Sequence, residues 1–317
     1  MSANGESSGR GARPKVMITG MCGGLARLVA ARLEADYQVI GVDPRPRSPH
    51  IPPQLAFVRA DYAKSRMLDV FRQHELEGVI HIGRRGVTSE NAYVRFDQNV
   101  IGTAKILEAC ARHGVRKVVV LSSFHVYGAH PFNPTPITED QPLRASQSIP
   151  ELADAVQLDN TASTWMWQNR DVRTAILRPV NILGPSLSNA MCRFFRSPVL
   201  PYLAGFDPMM QFIHEEDMAQ AIEQAYRHDL RGIFNVAGGS TVPFTLALAL
   251  LGGLRVPVPH LFAFPLVGAL ASLHVTFPAH LMDFFRYPCV LSDEAFRAAT
   301  RYAPTRDTST TLRSVRR

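Results

Sequence analysis

Lysine is scarce in this chain. Of its 34 basic residues only Lys15, Lys64, Lys105 and Lys117 are lysines, which excludes any mechanism needing one beyond position 117. Cysteine is sparse too: Cys22, Cys110, Cys192 and Cys289 lie far apart and form no CxxC pair. That spacing supports neither a metal site nor a disulfide framework, and it suits a reducing, cytoplasmic setting. No apolar leader opens the chain. MSANGESSGRGARPK is polar and rich in Gly and Ser, so residues 1–14 read as a disordered tail. A basic stripe on the folded body is also missing. Of the net charge of +7, residues 1–15 carry +2 and residues 296–317 carry +5, so the body between is neutral and nucleic acid is a poor partner. Residues 256–282 lack Asp, Glu, Lys and Arg, but Pro257, Pro259, Pro265 and Pro278 interrupt any membrane-length helix. This stretch reads as a hydrophobic lid or substrate lobe. The alternatives are a pocket for a lipophilic substrate and a membrane-contacting surface.

What is present suffices for a large core: 317 residues, 46% hydrophobic, with mean hydropathy near zero. Short β-branched runs alternate with helical patterns. KVMITG (15–20), YQVIGVD (37–43), VIHIG (79–83), RKVVVLSS (116–123), TAILRPVNILGP (174–185) and GIFNVAGG (232–239) read as strands. Leu25, Leu28, Val29 and Leu33 mark one helix, and Val100, Ala104, Leu107 and Cys110 mark another. Alternating strands and helices imply βαβ units with a parallel sheet: a Rossmann-type, doubly wound α/β fold. Residues 15–181 form its core. Residues 182–317 form mainly a smaller C-terminal substrate lobe, with segments returning to the core near 208–238. The Pro-rich stretch 129–150 reads as a long loop at the carboxyl end of a strand, where ligands bind in such sheets.

The first strand runs into Thr19-Gly20-Met21-Cys22-Gly23-Gly24-Leu25-Ala26 and then a helix. Gly20 permits the tight turn, Gly23 lets the backbone approach a pyrophosphate, and Ala26 keeps helix and strand close. Asp43 ends the second strand 23 residues after Gly20, where a carboxylate accepts hydrogen bonds from ribose hydroxyls. It favours NAD over NADP, with Arg45 and Arg47 pulling the other way.

These residues resemble the extended short-chain dehydrogenase/reductases of NAD-dependent epimerase/dehydratase type. The resemblance rests on TGMCGGLA, Asp61-Tyr62, Asn99-Val100-Ile101-Gly102-Thr103, the Ser122-to-Gly128 segment SSFHVYG, the Arg178-to-Pro185 segment RPVNILGP and the Gln211-to-Asp217 segment QFIHEED. It implies that Gly20, Gly23 and Ala26 hold the pyrophosphate, Asp43 the ribose, and Asp61 with Tyr62 the adenine edge. Gly83 and Arg84 lie along the cofactor, with Asn99 and Ser122 also beside it. Ser123 polarises the substrate oxygen, Asn181 contacts the substrate, and the chain pairs as a homodimer. The expected activity is an epimerase/dehydratase-like oxidation or reduction of a small alcohol, ketone or sugar derivative.

The pattern then breaks. The family's YxxxK pair falls near Glu151 and Ala155, in PELADAVQLDNTASTWMW, which has neither tyrosine nor lysine. His125 and Tyr127 are the candidate acid/base replacements, with Asp154 or Asp159 as orienting partners. The structural alternatives are a hydrogen-bonded His125, a packed Tyr127 and helix-capping or solvated carboxylates. The arginine that usually precedes the FIH segment is replaced by Met209-Met210, leaving Arg193 and Arg196 as substitutes. His214 and Asp217 are expected to close a strand and open a helix. The rival reading is a catalytically silent NAD-binding sensor or partner protein.

Overall fold

The computed structural model describes residues 13–86, 91–259 and 279–316. Seven parallel strands form the central sheet: β1 Lys15–Thr19, β2 Gln38–Asp43, β3 Ala56–Arg59, β4 Leu76–His81, β5 Lys117–Leu121, β6 Arg173–Pro179 and, much later in the chain, β11 Gly232–Val236. Their spatial order is β3-β2-β1-β4-β5-β6-β11. Parallel strands need helices on both faces, so their residues are apolar in continuous runs. Val16 and Ile18 of β1 join one hydrophobic cluster and Met17 joins the other. Val119 and Leu121 of β5 face the first, and Val118 and Val120 the second. The period-2 alternation thus builds two cores from one sheet.

On the first face lie α1 Gly24–Leu33 and α8 Glu215–Arg227; on the second lie α2 Arg66–Gln73, α4 Gly102–Arg112 and α6 Ala153–Gln168. In α1, Leu25, Ala26, Val29, Ala30 and Leu33 are buried at helical spacing and pack toward α8. A charge at Val29 would be buried without a partner. Two shorter helices, α3 Ala92–Phe96 and α5 Ala145–Ser148, flank the connections into α4 and α6. The β3 strand escapes the sequence reading because it is short, half-exposed and paired only to β2 at the sheet edge.

After β6 the chain builds three small sheets. β7 Asn181–Leu183 pairs with β10 Phe212–His214, β8 Val199–Ala204 with β13 Leu254–Pro259, and β9 Met209–Met210 with β12 Val242–Pro243. Helices α7 Ala190–Arg196, α9 Phe244–Leu251, α10 Glu294–Thr300 and α11 Thr308–Ser314 complete this part. His214 caps α8 by accepting the Glu216 N–H at 3.1 Å, and Asp217 accepts from Thr305 and Arg306. Most of the apolar stretch 256–282 lies outside the described residues. No described helix is long and apolar enough to cross a membrane.

Candidate active site

The strand order reverses direction between β1 and β4, and a cleft of about 880 Å³ opens outside their carboxyl ends. The turn after β1 is held very close to the loop after β4. Gly20 has φ of +77°, and a Cβ there would sit 2.8 Å from the Gly83 Cα. Gly20→Ala therefore combines a left-handed backbone costing about 1–2 kcal/mol with a backbone collision. Isothermal titration of that variant is expected to show NAD binding lost, together with a lower unfolding midpoint.

A buried relay below the turn fixes both loops. The Thr103 hydroxyl donates to the Asn99 carbonyl, so its oxygen accepts the His81 Nε2–H at 2.9 Å. His81 Nδ1 is then an acceptor and takes the Thr19 hydroxyl proton at 2.7 Å. Thr19 Oγ1 in turn accepts the N–H groups of Ile82 and Gly83 at 3.1 and 3.0 Å. Every group is satisfied only while His81 is neutral, and burial pushes its pKa down to about 4. Unfolded His81 titrates near 6.5. Between pH 6.5 and 4 the unfolded chain therefore binds the additional proton, and stability falls as pH falls through that window. Urea unfolding at a series of pH values is expected to show this slope, and His81→Gln to flatten it.

At the end of the cleft beside β2, Asp43 is 1% exposed. Its carboxylate accepts Cys22 N–H at 2.9 Å, Arg45 N–H at 3.0 Å and both Arg45 Nε and Nη2 at 2.9 Å. Burial pushes its pKa up, but these donors outweigh burial and leave it below the ordinary value. A donor arriving at Asp43 would meet a carboxylate already bridged by Arg45. Tyr62 lines the cleft, is 2% exposed, and its hydroxyl accepts the Gly20 N–H at 2.9 Å, so it also buttresses the turn. Asp61 stays outside the cleft wall, because its carboxylate closes the turn into α2 through the Ala63 N–H and receives Gln98 Nε2.

The opposite end holds Ser123, His125, Arg84, Asn99, Asp154, Asn181 and Arg193 in one wall system. Ser123 follows β5, and a tight 3₁₀ turn over Phe124–Tyr127 brings His125 back onto it. Ser123 Oγ and His125 Nδ1 are 2.7 Å apart. Phe124 and Phe284 flank the imidazole with ring centroids at 4.1 and 4.8 Å. Burial, then the charge of Arg84 and then His280 push the His125 pKa down to about 3, so the ring is neutral throughout the physiological range. Asn181 Nδ2 and Oδ1 make no hydrogen bond among the described residues, whereas Arg193 donates to the Ser188 carbonyl at 2.6 Å.

The same turn separates Ser123 from its neighbours. Ser122 points away from the cleft and donates to Asp159 Oδ2 at 2.6 Å, which corrects its expected cofactor contact. Tyr127 is likewise removed from the candidate acid/base groups. It is 2% exposed, donates to Asn235 Oδ1 at 2.8 Å and accepts from Arg178 Nη1 at 2.9 Å. Burial, opposed by Arg178, pushes its pKa up to about 12. Asn99 lines the cleft, yet its carboxamide is fully engaged by both backbone polar groups of Arg85 and by Asp154, so it holds the loop after β4. Asp154 also pairs with Arg95 at 3.2 Å, and Asp159 pairs with Arg178; neither carboxylate bonds to Ser123 or His125. The His81 relay and Arg95 escaped the sequence reading, whereas Leu281, which lines the cleft, lies in the 256–282 stretch expected to form a lid or substrate lobe. For His81 a signal existed: an imidazole ending an otherwise apolar strand.

Free backbone donors complete the site. The first N–H groups of α1, at Gly24, Leu25 and Ala26, precede any intrahelical partner and face an open cradle, in which a Cβ on Gly23 would meet only the Gly20 carbonyl. These residues fit a dinucleotide pyrophosphate.

Residues 16–237 match the family model described as "NAD dependent epimerase/dehydratase family". An uncharacterized protein of Mycobacterium tuberculosis is 28% identical over 304 residues, covering 92% of this chain and 80% of that protein. The UDP-glucose 4-epimerase of Azospirillum brasilense is 31% identical over 253 residues, covering 70% of each. The solved structure of a Thermus thermophilus UDP-glucose 4-epimerase in complex with NAD matches with a TM-score of 0.76 at 21% identity, covering 95% of this chain and 97% of that one. Pal from Bacillus thuringiensis matches with a TM-score of 0.77 at 17% identity, covering 95% and 97%. The glycine turn at the switch point, the parallel sheet and a family match across most of the chain agree: the protein belongs to the NAD dependent epimerase/dehydratase family, of extended short-chain dehydrogenase/reductase type.

Proposed function

We propose that the protein is an NAD-dependent oxidoreductase of epimerase/dehydratase type, acting on a small alcohol, ketone or sugar derivative, in which Ser123 and His125 replace the missing tyrosine–lysine relay. The observation that carries this reading is the 2.7 Å contact between Ser123 Oγ and His125 Nδ1 in the wall of the cleft. Gly20, Gly23, Ala26 and the start of α1 would hold the pyrophosphate, and Asp43 the ribose. Bound there, NAD supplies the hydride acceptor and donor. Ser123 takes a hydrogen bond from the reacting substrate hydroxyl and passes its own proton to the neutral imidazole; in the reverse direction the proton returns to the carbonyl oxygen. Phe124 and Phe284 keep water from the imidazole. Asn181, with an uncommitted carboxamide, offers the substrate a donor and an acceptor.

A second reading has its own support. α6 turns Asp154 and Ala155 to the cleft, and no tyrosine or lysine occurs in it. A catalytically silent NAD-binding protein would need neither. The first test is to denature the purified protein and identify any released dinucleotide by mass spectrometry. Bound NAD is expected; NADP would overturn the role given to Asp43, and a protein that binds neither would overturn the oxidoreductase reading altogether.

A further inference from the structure

Five arginines line the cleft: Arg27, Arg45, Arg84, Arg85 and Arg193. Four of them are already committed. Arg27 donates to the Cys22 carbonyl, Arg45 to Asp43, Arg85 to Gln98 Oε1 and Arg193 to the Ser188 carbonyl. Arg84 alone among them makes no hydrogen bond or ion pair with the described residues. Its backbone is nevertheless fixed. Thr19 holds the N–H of Gly83 on one side, and Asn99 grips both backbone polar groups of Arg85 on the other. Arg84 is an exposed residue of the cleft wall, though burial of its guanidinium lowers its pKa against the pull of Asp154, and its charge acts on His125. It stands between Gly83, against which the Gly20 turn packs, and Arg85, whose backbone Asn99 ties to Asp154.

The surroundings restrict what a free guanidinium can hold. Phe124, Leu152, Val180, Leu187, Met191 and Leu281 supply apolar wall to the same cleft. Arg196, the other candidate cation on α7, is spent on the carbonyls of Gly184, Pro185, Leu187 and Val315. A diphosphate-bearing substrate would find no second cation in the described wall with every N–H donor free, since Arg27, Arg45, Arg85 and Arg193 each already give at least one to a protein acceptor. A single carboxylate matches the planar fork of one arginine.

We propose that Arg84 is the substrate-anchoring residue of this site and that the substrate is a monocarboxylate with an apolar body, a hydroxy or keto acid rather than a nucleotide-linked sugar. The inference rests on the oxidoreductase reading above. In the reaction the carbinol C–H leaves as hydride to NAD, the hydroxyl proton goes to the Ser123–His125 pair, and the carboxylate stays on Arg84 unchanged. Anchoring also has an electrostatic consequence. The Arg84 charge disfavours the imidazolium of His125, and a carboxylate seated on that guanidinium cancels much of the field. Substrate binding therefore raises the basicity of His125 just when a proton must be accepted. His280 pushes the His125 pKa in the same direction as Arg84, more weakly.

The test uses the full chain saturated with NAD and three probes: hexanoate, hexan-1-ol and uridine diphosphate. Calorimetry or NMR titration is expected to show hexanoate binding, about ten- to a hundredfold weaker in Arg84→Ala, with Arg84→Lys between the two and hexan-1-ol indifferent to the substitution. The His125 ring signals are expected to titrate at higher pH with hexanoate in the wild type, and already at higher pH in Arg84→Ala without it. The inference is overturned if uridine diphosphate binds better than hexanoate, or if Arg84→Ala weakens NAD and leaves hexanoate unaffected. Wild-type protein that binds NAD but not hexanoate overturns the inference alone; protein that binds neither overturns the oxidoreductase reading with it.

Discussion

Ser123→Ala is expected to lower kcat by about 10²–10⁴-fold while the Kd for NAD stays within about twofold of the wild type, since Ser123 touches the proton path and not the pyrophosphate cradle. The reason is geometric. Its hydroxyl is the group in the cleft wall that reaches His125 Nδ1, at 2.7 Å, and alanine leaves the imidazole with nothing to relay a proton from. His125→Gln should fall in the same range, because a carboxamide hydrogen-bonds but does not take up a proton. Tyr127→Phe is the control. It removes hydrogen bonds to Asn235 and Arg178 deep in the core, so it should lower stability by about 1–3 kcal/mol and leave kcat largely intact. Steady-state kinetics on these three variants decides the matter: turnover surviving both Ser123→Ala and His125→Gln would remove the pair from the mechanism, and a collapse in Tyr127→Phe alone would restore the tyrosine.

The largest stability effect should come from Asp159→Ala. Asp159 is fully buried and bridges Arg178 through both oxygens, with Nε at 2.9 Å and Nη2 at 2.6 Å, while Arg178 is 3% exposed. Removing the carboxylate strands a guanidinium in the core and leaves the Ser122 hydroxyl without its acceptor. Breaking a buried pair in this way costs about 3–5 kcal/mol. Arg178 keeps partial compensation from the Glu139 carbonyl, the Tyr127 hydroxyl and the face of the Tyr127 ring, so a value toward the lower end is expected. Replacing both partners, Asp159→Leu with Arg178→Met, should recover much of the loss, because the charge that needed compensation is gone. Equilibrium unfolding in urea measures both. A double variant no more stable than Asp159→Ala would mean that the network matters for its hydrogen bonds rather than for its charge.

Much of the fold was legible in order along the chain. The apolar runs that became β1, β2, β4, β5 and β6 stand out because a parallel sheet buries both faces of every interior strand, while β11, at the edge, was marked by its apolar run ending in glycines. The turn at Gly20 was legible for a similar reason: its backbone conformation demands glycine, so the constraint is written in the residue itself. β3 was not legible, since an edge strand with half-exposed side chains has no strong pattern to leave.

The sequence by itself determined the sheet, the dinucleotide turn, the absence of a late lysine and the presence of Ser123 and His125 within two residues of each other. Only the tertiary structure decided what those residues do. Ser122, Ser123, His125 and Tyr127 are near neighbours in sequence, yet one tight turn sends Ser123 and His125 to the cleft and the other two into the Asp159–Arg178 network. Arg84 and Arg85 look alike in sequence, but Gln98 occupies Arg85, while Arg84 has no hydrogen-bond partner among the described residues. Propensity and pattern are local, so they survive in the one-dimensional string. Hydrogen-bond partnership and charge compensation depend on which distant side chains arrive within about 3 Å, and that is fixed only when the chain has folded.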